Sequence, residues 1–211
     1  FRHSAVASGP SIPPNTIHSW YTREHTGDNI SDTVGSVTLV NHGGVFVSDG
    51  VRFDGTDWLD TAAWTVGANH VSMSVWIKAS DATSSQVIVV KETVNAQWEI
   101  FIFTTLFLRG GGAGPQVLAA SGLTANVWKN VVGTISGTTG AIYLDGTLSL
   151  SGSVAAFTDT SSVFQVGRYG SGSNPLLGPD SRVGLVQIAN AAWSSGDVST
   201  IWTNQRSLFG V

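Results

Sequence analysis

The residues best able to do chemistry in this sequence are aromatic side chains that stand beside polar ones. Trp58 is next to Asp57 and close to Asp60, and Tyr169 follows Arg168 in a stretch rich in glycine, serine and asparagine. Sugar sites combine an aromatic ring, which packs on the apolar face of the sugar, with polar groups that bond its hydroxyls. We therefore predict that Trp58, Arg168 and Tyr169 bind a ligand, with glycans as the ligand class. The alternative is that these rings only pack at the rim of the domain.

β-strands are the elements that must position these residues. Residues 127–135 alternate with a period of two and are rich in β-branched side chains, which is typical of a strand. Small residues at 136–140 predict a hairpin loop, and Asp145-Gly146 predicts a second, two-residue turn. Similar short runs recur along the chain, and one short helical turn follows a capping residue at Ser194. The pattern predicts an all-β sandwich of two antiparallel sheets with one short C-terminal helical turn.

The composition limits the domain count and the class of partner. Gly9-Pro10 and Pro13-Pro14 predict an extended arm or linker over residues 1–14, which leaves residues 15–211 as one sandwich domain. Only 11% of residues are charged and the net charge is −4, so there is no basic surface for nucleic acid. The longest apolar stretch, residues 100–108, is far short of the ~20 residues of a spanning helix, so we predict no membrane insertion. The absence of cysteine excludes disulfides.

Five segments in order resemble a known family. They are the hairpin region Trp128–Gly146, the early strand and turn Phe53–Leu59, the strand Val71–Lys78, and the late strands Phe164–Gly167 and Gly184–Ile188. Together they resemble the laminin-G-like group of the concanavalin A-like lectin/glucanase superfamily, in its viral or bacterial form. The resemblance implies that the sandwich is a concanavalin A-like jelly roll.

The resemblance makes glycan hydrolysis the first enzyme activity to consider, because β-glucanases share this fold. Hydrolysis requires two carboxylates that flank the scissile bond, about 5–5.5 Å apart for retention. The chain has three glutamates, and only Glu99 stands on a predicted strand, with no acidic residue two or four positions on. We therefore predict that the protein is not an enzyme. A polysaccharide-degrading enzyme is the less favoured alternative, and it would require Glu99 to face a second carboxylate across a groove.

The resemblance also implies calcium as an accessory ligand. Calcium takes six to eight oxygen ligands, mostly carboxylates and carbonyls from loops. Asp54, Asp57 and Asp60 are grouped around one predicted turn and could supply such oxygens. The alternative is that Asp54 is simply a turn residue.

These observations favour a non-catalytic recognition or surface-display module. We predict that it binds a glycan or host-surface polysaccharide, on a virion as capsid decoration or tail fibre, or on another extracellular assembly. Its partners would then include other subunits of that assembly, and its location would be extracellular or the virion surface. The alternative is a purely structural subunit of a capsid, fibre or filament that binds no sugar.

Overall fold

Two antiparallel β-sheets and a C-terminal helix make up most of this chain. The computed structural model describes residues 9–23, 27–92, 96–111, 116–118, 123–170 and 177–211. Within these ranges, no helix is both long and apolar enough to cross a membrane. The predicted all-β sandwich with a short C-terminal helix is confirmed.

The first sheet contains eight strands. They are β1 (Thr16–Tyr21), β4 (Val45–Val47), β5 (Gly50–Arg52), β7 (His70–Lys78), β12 (Lys129–Ser136), β13 (Thr139–Leu144), β14 (Thr147–Ser153) and β16 (Arg182–Ala189). Their order in the sheet is β14-β13-β12-β7-β16-β5-β4, and β1 also pairs with β16.

The second sheet contains the other eight strands. They are β2 (Asn29–Ile30), β3 (Leu39–His42), β6 (Trp58–Thr61), β8 (Gln86–Glu92), β9 (Ala96–Ile102), β10 (Leu106–Gly110), β11 (Gln116–Leu118) and β15 (Val163–Val166). Their order is β11-β10-β9-β8-β15-β6-β3-β2. The strand β6 therefore lies between β15 and β3.

The hairpin predicted around residues 128–146 is present as β12 and β13. Its loop is tighter than expected, because Ser136 and Thr139 already pair and leave only two residues between them. The turn at Asp145-Gly146 has positive φ angles of 49° and 78°, which is the geometry that an Asp-Gly pair favours. The Asp145 carboxylate accepts hydrogen bonds from the Asn130 backbone N–H at 3.1 Å and from the Lys129 ammonium at 2.5 Å.

The core between the sheets is built largely from aromatic and β-branched side chains. Trp20 stacks on Phe164 with their ring centres 5.5 Å apart, and the Trp98 ring lies 5.8 Å from Phe164 on the other side. A buried cation borders this cluster, since the Lys91 ammonium lies 4.9 Å from the Trp64 ring centre. Three of the eight tryptophans, Trp20, Trp64 and Trp98, are thus core residues of the sandwich.

The outer face of the first sheet is covered by the C-terminal helix α1 (Ser195–Gln205) and the 3-10 turn Arg206–Phe209. The helix begins as predicted at Ser194, which forms a reciprocal capping box with Asp197. Phe209 stacks on Trp76 at 4.3 Å, and Gln205 accepts a hydrogen bond of 2.8 Å from the Trp76 indole N–H. The outer face of the first sheet around Trp76 is therefore buried by the C-terminal helix and the turn that follows it.

The segment before β1 lies against the same face. The Ser11 carbonyl accepts hydrogen bonds of 3.0 Å from the side-chain amides of Gln187 and Gln205, and the Pro14 carbonyl accepts one from the Trp193 indole at 2.8 Å. Residues 1–8 of the predicted arm lie outside the described residues. Whether residues 1–14 behave as a separate arm stays a prediction.

Candidate functional site

Trp58 is the centre of a planar stack on the outer face of the second sheet. It begins β6 and pairs with His42 on β3, whose imidazole stacks on the indole with ring centres 4.7 Å apart and an interplanar angle of 15°. The guanidinium carbon of Arg168, two residues after β15, lies 4.1 Å from the centre of the Trp58 ring. Two of the three predicted ligand-binding residues are therefore in direct contact.

The strand order decides what part of Trp58 a ligand can reach. Because β15 and β3 flank β6 on opposite sides, Arg168 and His42 approach the indole from opposite sides, and the two faces of the ring are covered by the protein's own groups. Trp58 is thus not the open stacking platform that the sequence suggests. Trp58 is half-buried in this stack, and the His42 side chain beside it is partly exposed.

Asp60 fixes this stack from within the same strand. Its carboxylate accepts a hydrogen bond from His42 Nε2 at 2.9 Å and from the Trp58 indole N–H at 3.3 Å. Both bonds hold side chains that are only partly buried, because the side chains of His42 and Asp60 are 36% and 29% exposed. We call His42, Trp58, Asp60 and Arg168 the Trp58 cluster.

A tight loop carries the third predicted residue, Tyr169. Gly167 and Gly170 bound this loop, with φ angles of 79° and 67° that favour glycine. The buried side chain of Gln165 clamps it: its carbonyl accepts a hydrogen bond from the Gly170 N–H at 2.9 Å, and its amide donates to the Gly170 carbonyl at 3.4 Å. Gln165 is a positioning residue that the sequence does not single out.

The Tyr169 ring packs toward the sheet. It is partly buried and contacts a small apolar cluster on the outer face that contains Val87, Val90 and Phe101. Its position beside Arg168 agrees with the predicted grouping of the two residues. Its ring contributes packing, while the Trp58 cluster supplies the exposed polar atoms.

A layer of charged side chains lies on the same face of the second sheet. Glu99 on β9 pairs with Arg109 on β10, and the Glu99 side chain is only 2% exposed. Burial raises the pKa of Glu99 to about 7, Arg109 opposes this rise, and the charge of Glu92 adds to it. Burial also raises the pKa of Glu92, against the opposing charge of Arg168. Glu92 therefore interacts electrostatically with both Glu99 and Arg168.

These charged side chains correct one assumption made from the sequence, that Glu99 has no acidic neighbour. Glu99 has no acidic neighbour two or four positions on, but it does have an acidic neighbour on the adjacent strand. Val90 pairs with Glu99 and Glu92 pairs with Ala96, so Glu92 reaches the same region from β8. The sequence prediction placed Glu92 outside a strand and so missed it, whereas β8 ends at Glu92.

The three aspartates predicted for calcium are not gathered around one point. Asp57 accepts a hydrogen bond of 2.8 Å from the Asp54 N–H, and Asp54 accepts two of 2.7 Å from Thr56, which is the pattern of a turn. Hydrogen bonds from Thr56 lower the pKa of Asp54, and burial raises that of Asp57. Asp60 belongs instead to the Trp58 cluster.

Asp54 and Asp57 line a cleft of about 280 Å³ together with Arg52 and Asp180, whose side chains form an exposed ion pair at 3.4 Å. Over the described ranges, no three His, Cys, Asp or Glu side chains are grouped as a metal site. Calcium binding itself is untested by this geometry and stays a prediction.

Solved structures with a similar fold include both enzymes and toxin domains. A Trypanosoma rangeli sialidase in complex with sialic acid matches with a TM-score of 0.72 and 17% identity, over 93% of this chain and 34% of the sialidase chain. The binding domain of Paraclostridial Mosquitocidal Protein 1 matches with a TM-score of 0.69 and 17% identity, over 89% of this chain and 52% of the other. The receptor binding domain of botulinum neurotoxin D gives a TM-score of 0.70 and 14% identity, over 90% and 53%.

These likenesses show the fold alone, and this chain spans from about a third to about half of the matched chains. No curated protein matches the sequence. The prediction that the protein is not an enzyme is wrong as it was drawn, because several matched structures are sialidases. The fold forms part of an enzyme chain there, so neither the fold nor the missing second acid in β9 excludes enzymes.

A family model described as the concanavalin A-like lectin/glucanases superfamily matches residues 53–199. This range includes the motifs that carry the resemblance in the sequence, and it contains Trp58, Asp60 and Arg168 of the Trp58 cluster. The two antiparallel sheets and the short C-terminal helix are those of a jelly-roll sandwich. The chain is a laminin-G-like member of the concanavalin A-like lectin/glucanase superfamily.

Proposed function

We propose that this domain recognises a glycan at the Trp58 cluster. The observation that carries the proposal is the Arg168–Trp58–His42 stack, in which a half-buried indole lies beside a guanidinium that can donate hydrogen bonds. A sugar needs both kinds of contact, an apolar surface for its C–H groups and polar groups for its hydroxyls. The membership of the chain in a lectin and glucanase superfamily supports the same ligand class.

The outer faces of the two sheets differ in which residues remain exposed. On the first sheet, the helix and residues 11–14 pack on the outer face and form hydrogen bonds with Trp76 and Gln187. On the second sheet, the Trp58 cluster stays partly exposed at one end of the outer face. This difference favours the second sheet as the binding side.

A glycan-array screen of the purified chain tests the proposal. We expect a reproducible hit whose affinity falls at least tenfold in Trp58→Ala and in Arg168→Ala. Arg206→Ala is the matched control, since Arg206 is an exposed arginine at the end of α1 and far in sequence from the cluster. Retained binding in both cluster variants would contradict the proposed site. The absence of any hit with a folded sample would contradict glycan recognition itself.

The same screen, repeated with a calcium chelator, tests the calcium prediction. If calcium bound through Asp54 and Asp57 supported the site, the chelator would abolish the hit. Asp54→Asn would then reproduce the effect of the chelator. A hit that is unchanged by the chelator would leave the Trp58 cluster as a metal-independent site.

The setting that we propose is an exposed surface, on a virion as capsid decoration or tail fibre, or on another extracellular assembly. The support is the low content of charged residues, 11%, and the absence of cysteine, which resemble viral and bacterial members of the family. An antibody raised against the domain should label intact particles or cells of the source without permeabilisation. Labelling only after permeabilisation would contradict this setting.

A second candidate function is glycan hydrolysis at Glu99 and Glu92. The observation that favours it is the placement of the two glutamates on adjacent paired strands, together with a pKa of Glu99 raised to about 7, which suits a general acid. Access is the difficulty, because the Glu99 side chain is 2% exposed and pairs with Arg109. A reducing-end assay on a polysaccharide panel tests it. Turnover that Glu99→Gln abolishes would support hydrolysis, whereas wild-type protein without turnover would contradict it.

A further inference from the structure

Arg168 differs from Arg52, Arg109 and Arg182 in making no direct ion pair with a carboxylate among the described residues. Arg52, Arg109 and Arg182 each form an ion pair with a carboxylate. Within the described part of the chain, Arg168 forms neither an ion pair nor a hydrogen bond, although its side chain is partly buried. A guanidinium has five N–H donors, and an arginine held in place without using them is available to a ligand.

The surrounding structure holds this guanidinium in one place. The cation lies over the Trp58 ring at 4.1 Å, and its backbone belongs to the loop that Gln165 clamps at Gly170. A guanidinium that rests on an aromatic face keeps its donors in its own plane, where they match the two oxygens of a carboxylate. Because the side chain is already ordered, little conformational entropy remains to be lost on binding.

The acidic groups near Arg168 do not neutralise it by direct contact. Asp60 uses its two carboxylate oxygens to accept hydrogen bonds from His42 and from Trp58. Glu92 is 5% exposed and lies under the loop, where a Cβ atom added to Gly170 would be 2.7 Å from its Oε1 atom. Neither carboxylate is within ion-pair distance of Arg168 among the described contacts. The Arg168 guanidinium is therefore left without a direct carboxylate contact in this part of the structure.

We infer that the Trp58 cluster selects glycans that carry a carboxylate, and that Arg168 binds this group through paired hydrogen bonds. The inference rests on the proposed function, because it names the class of sugar that the same site takes. In this arrangement the carboxylate lies beside the guanidinium, while the ring of the acidic sugar lies along Trp58. His42 and Asp60 then face the hydroxyls of the bound sugar.

Binding measurements with matched oligosaccharides test the inference. The probes are uronic-acid-terminated and sialylated oligosaccharides, their carboxyl-reduced counterparts, and a sulfated counterpart. For wild-type protein we expect at least one acidic form to bind ten or more times tighter than its carboxyl-reduced form. Arg168→Gln should remove this ratio, Arg168→Lys should keep part of it because the charge remains, and Arg206→Gln should leave it unchanged.

The outcomes separate the inference from the proposed function. Equal affinity for acidic and carboxyl-reduced forms, or a hit restricted to neutral glycans, would overturn the inference and leave glycan recognition intact. Binding of the sulfated form alone would overturn the assignment of a carboxylate. Failure of every glycan on the array, acidic or neutral, would overturn the proposed function as well. If the affinity ratio between the acidic and carboxyl-reduced forms persisted in Arg168→Gln, Arg168 would not be the residue that recognises the carboxylate.

Discussion

The Arg168 guanidinium rests 4.1 Å from the centre of the Trp58 ring, with His42 stacked on the same indole at 4.7 Å. Three strands that are distant in sequence are needed to build this contact, since β15, β6 and β3 must pair in that order. The relationship places a partly buried cation over an aromatic ring on the outer face of the second sheet.

The Gln165 clamp should matter for binding as well as for folding. Gln165→Ala removes both hydrogen bonds to Gly170 and so frees the loop that carries Arg168. We expect a loss of stability of about 1–3 kcal/mol and a glycan affinity at least tenfold lower. Isothermal titration calorimetry and urea unfolding measure the two effects.

Gln97→Ala is the matched control for this variant. Gln97 is a buried glutamine that bonds a different loop, through Thr160 and Ser162. The Gln97→Ala variant should lose about as much stability as Gln165→Ala and keep the glycan affinity of the wild type. Equal affinity in the two variants would show that Gln165 does not position the site.

Glu99 should make the protein less stable as the pH rises. Its pKa is raised from 4.5 to about 7, so the folded state holds the proton more tightly than the unfolded state between these values. Stability from this group is therefore present at pH 4.5 and is lost as the pH passes through about 7. Glu99→Gln removes the effect, so the stability of the variant relative to wild type should increase from pH 5 to pH 8.

Urea unfolding of wild type and Glu99→Gln at several pH values measures this difference. Arg109 keeps a hydrogen-bond acceptor in the glutamine variant, which limits other changes. A stability difference that is constant with pH would contradict the raised pKa.

Lys91, unlike Glu99, should make the protein more stable as the pH rises. Burial lowers its pKa from 10.5 to about 8, although its ammonium donates to the Thr160 carbonyl and to Ser162. Between these pH values the unfolded state binds the proton more tightly, so folding stability from this group rises with pH. Lys91→Met should flatten the stability profile between pH 8 and pH 10, as followed by thermal unfolding. An unchanged slope would argue against a depressed pKa.

A side chain at Gly146 should lower the stability of the protein. Its φ angle is 78°, and an added Cβ atom would lie 2.8 Å from Trp202 Cβ on the covering helix. We expect Gly146→Ala to cost about 1–3 kcal/mol, from backbone strain and from the displaced helix. Gly137→Ala is the control, because its φ angle is 59° but an added Cβ atom meets nothing within 4 Å. Chemical unfolding should show the larger loss for Gly146→Ala, and equal losses would contradict the contact with Trp202.

The strands could be predicted from the sequence where the pattern involves only neighbouring residues. Alternation over residues 127–135 and the Asp145-Gly146 pair determine a strand and a turn from neighbouring residues alone, and both are present. Ser194 likewise caps the helix through Asp197, three residues on. The contact between Trp58 and its partners has no such local signal, because it depends on which strands pair.

The site was therefore only partly predictable. Trp58 and Arg168 were identified individually from their chemistry, but His42 and Gln165 gain their roles from the strand order β15-β6-β3. Glu92 was missed because acidic partners of Glu99 were sought along one strand, whereas the neighbour comes from the adjacent one. Asp60 was predicted as a calcium ligand because it is close in sequence to Asp57, but on β6 it points to the Trp58 cluster.

The most direct test of glycan recognition at the Trp58 cluster is a nuclear magnetic resonance titration. Wild-type protein would be titrated with the tightest-binding oligosaccharide from the array, and the indole N–H signals of the eight tryptophans and the Arg168 Nε–H signal followed. If the Trp58 cluster binds the glycan, the Trp58 and Arg168 signals shift in a saturable manner, while those of Trp20, Trp76 and Trp98 stay in place. Saturable shifts elsewhere, with Trp58 and Arg168 unchanged, would contradict it.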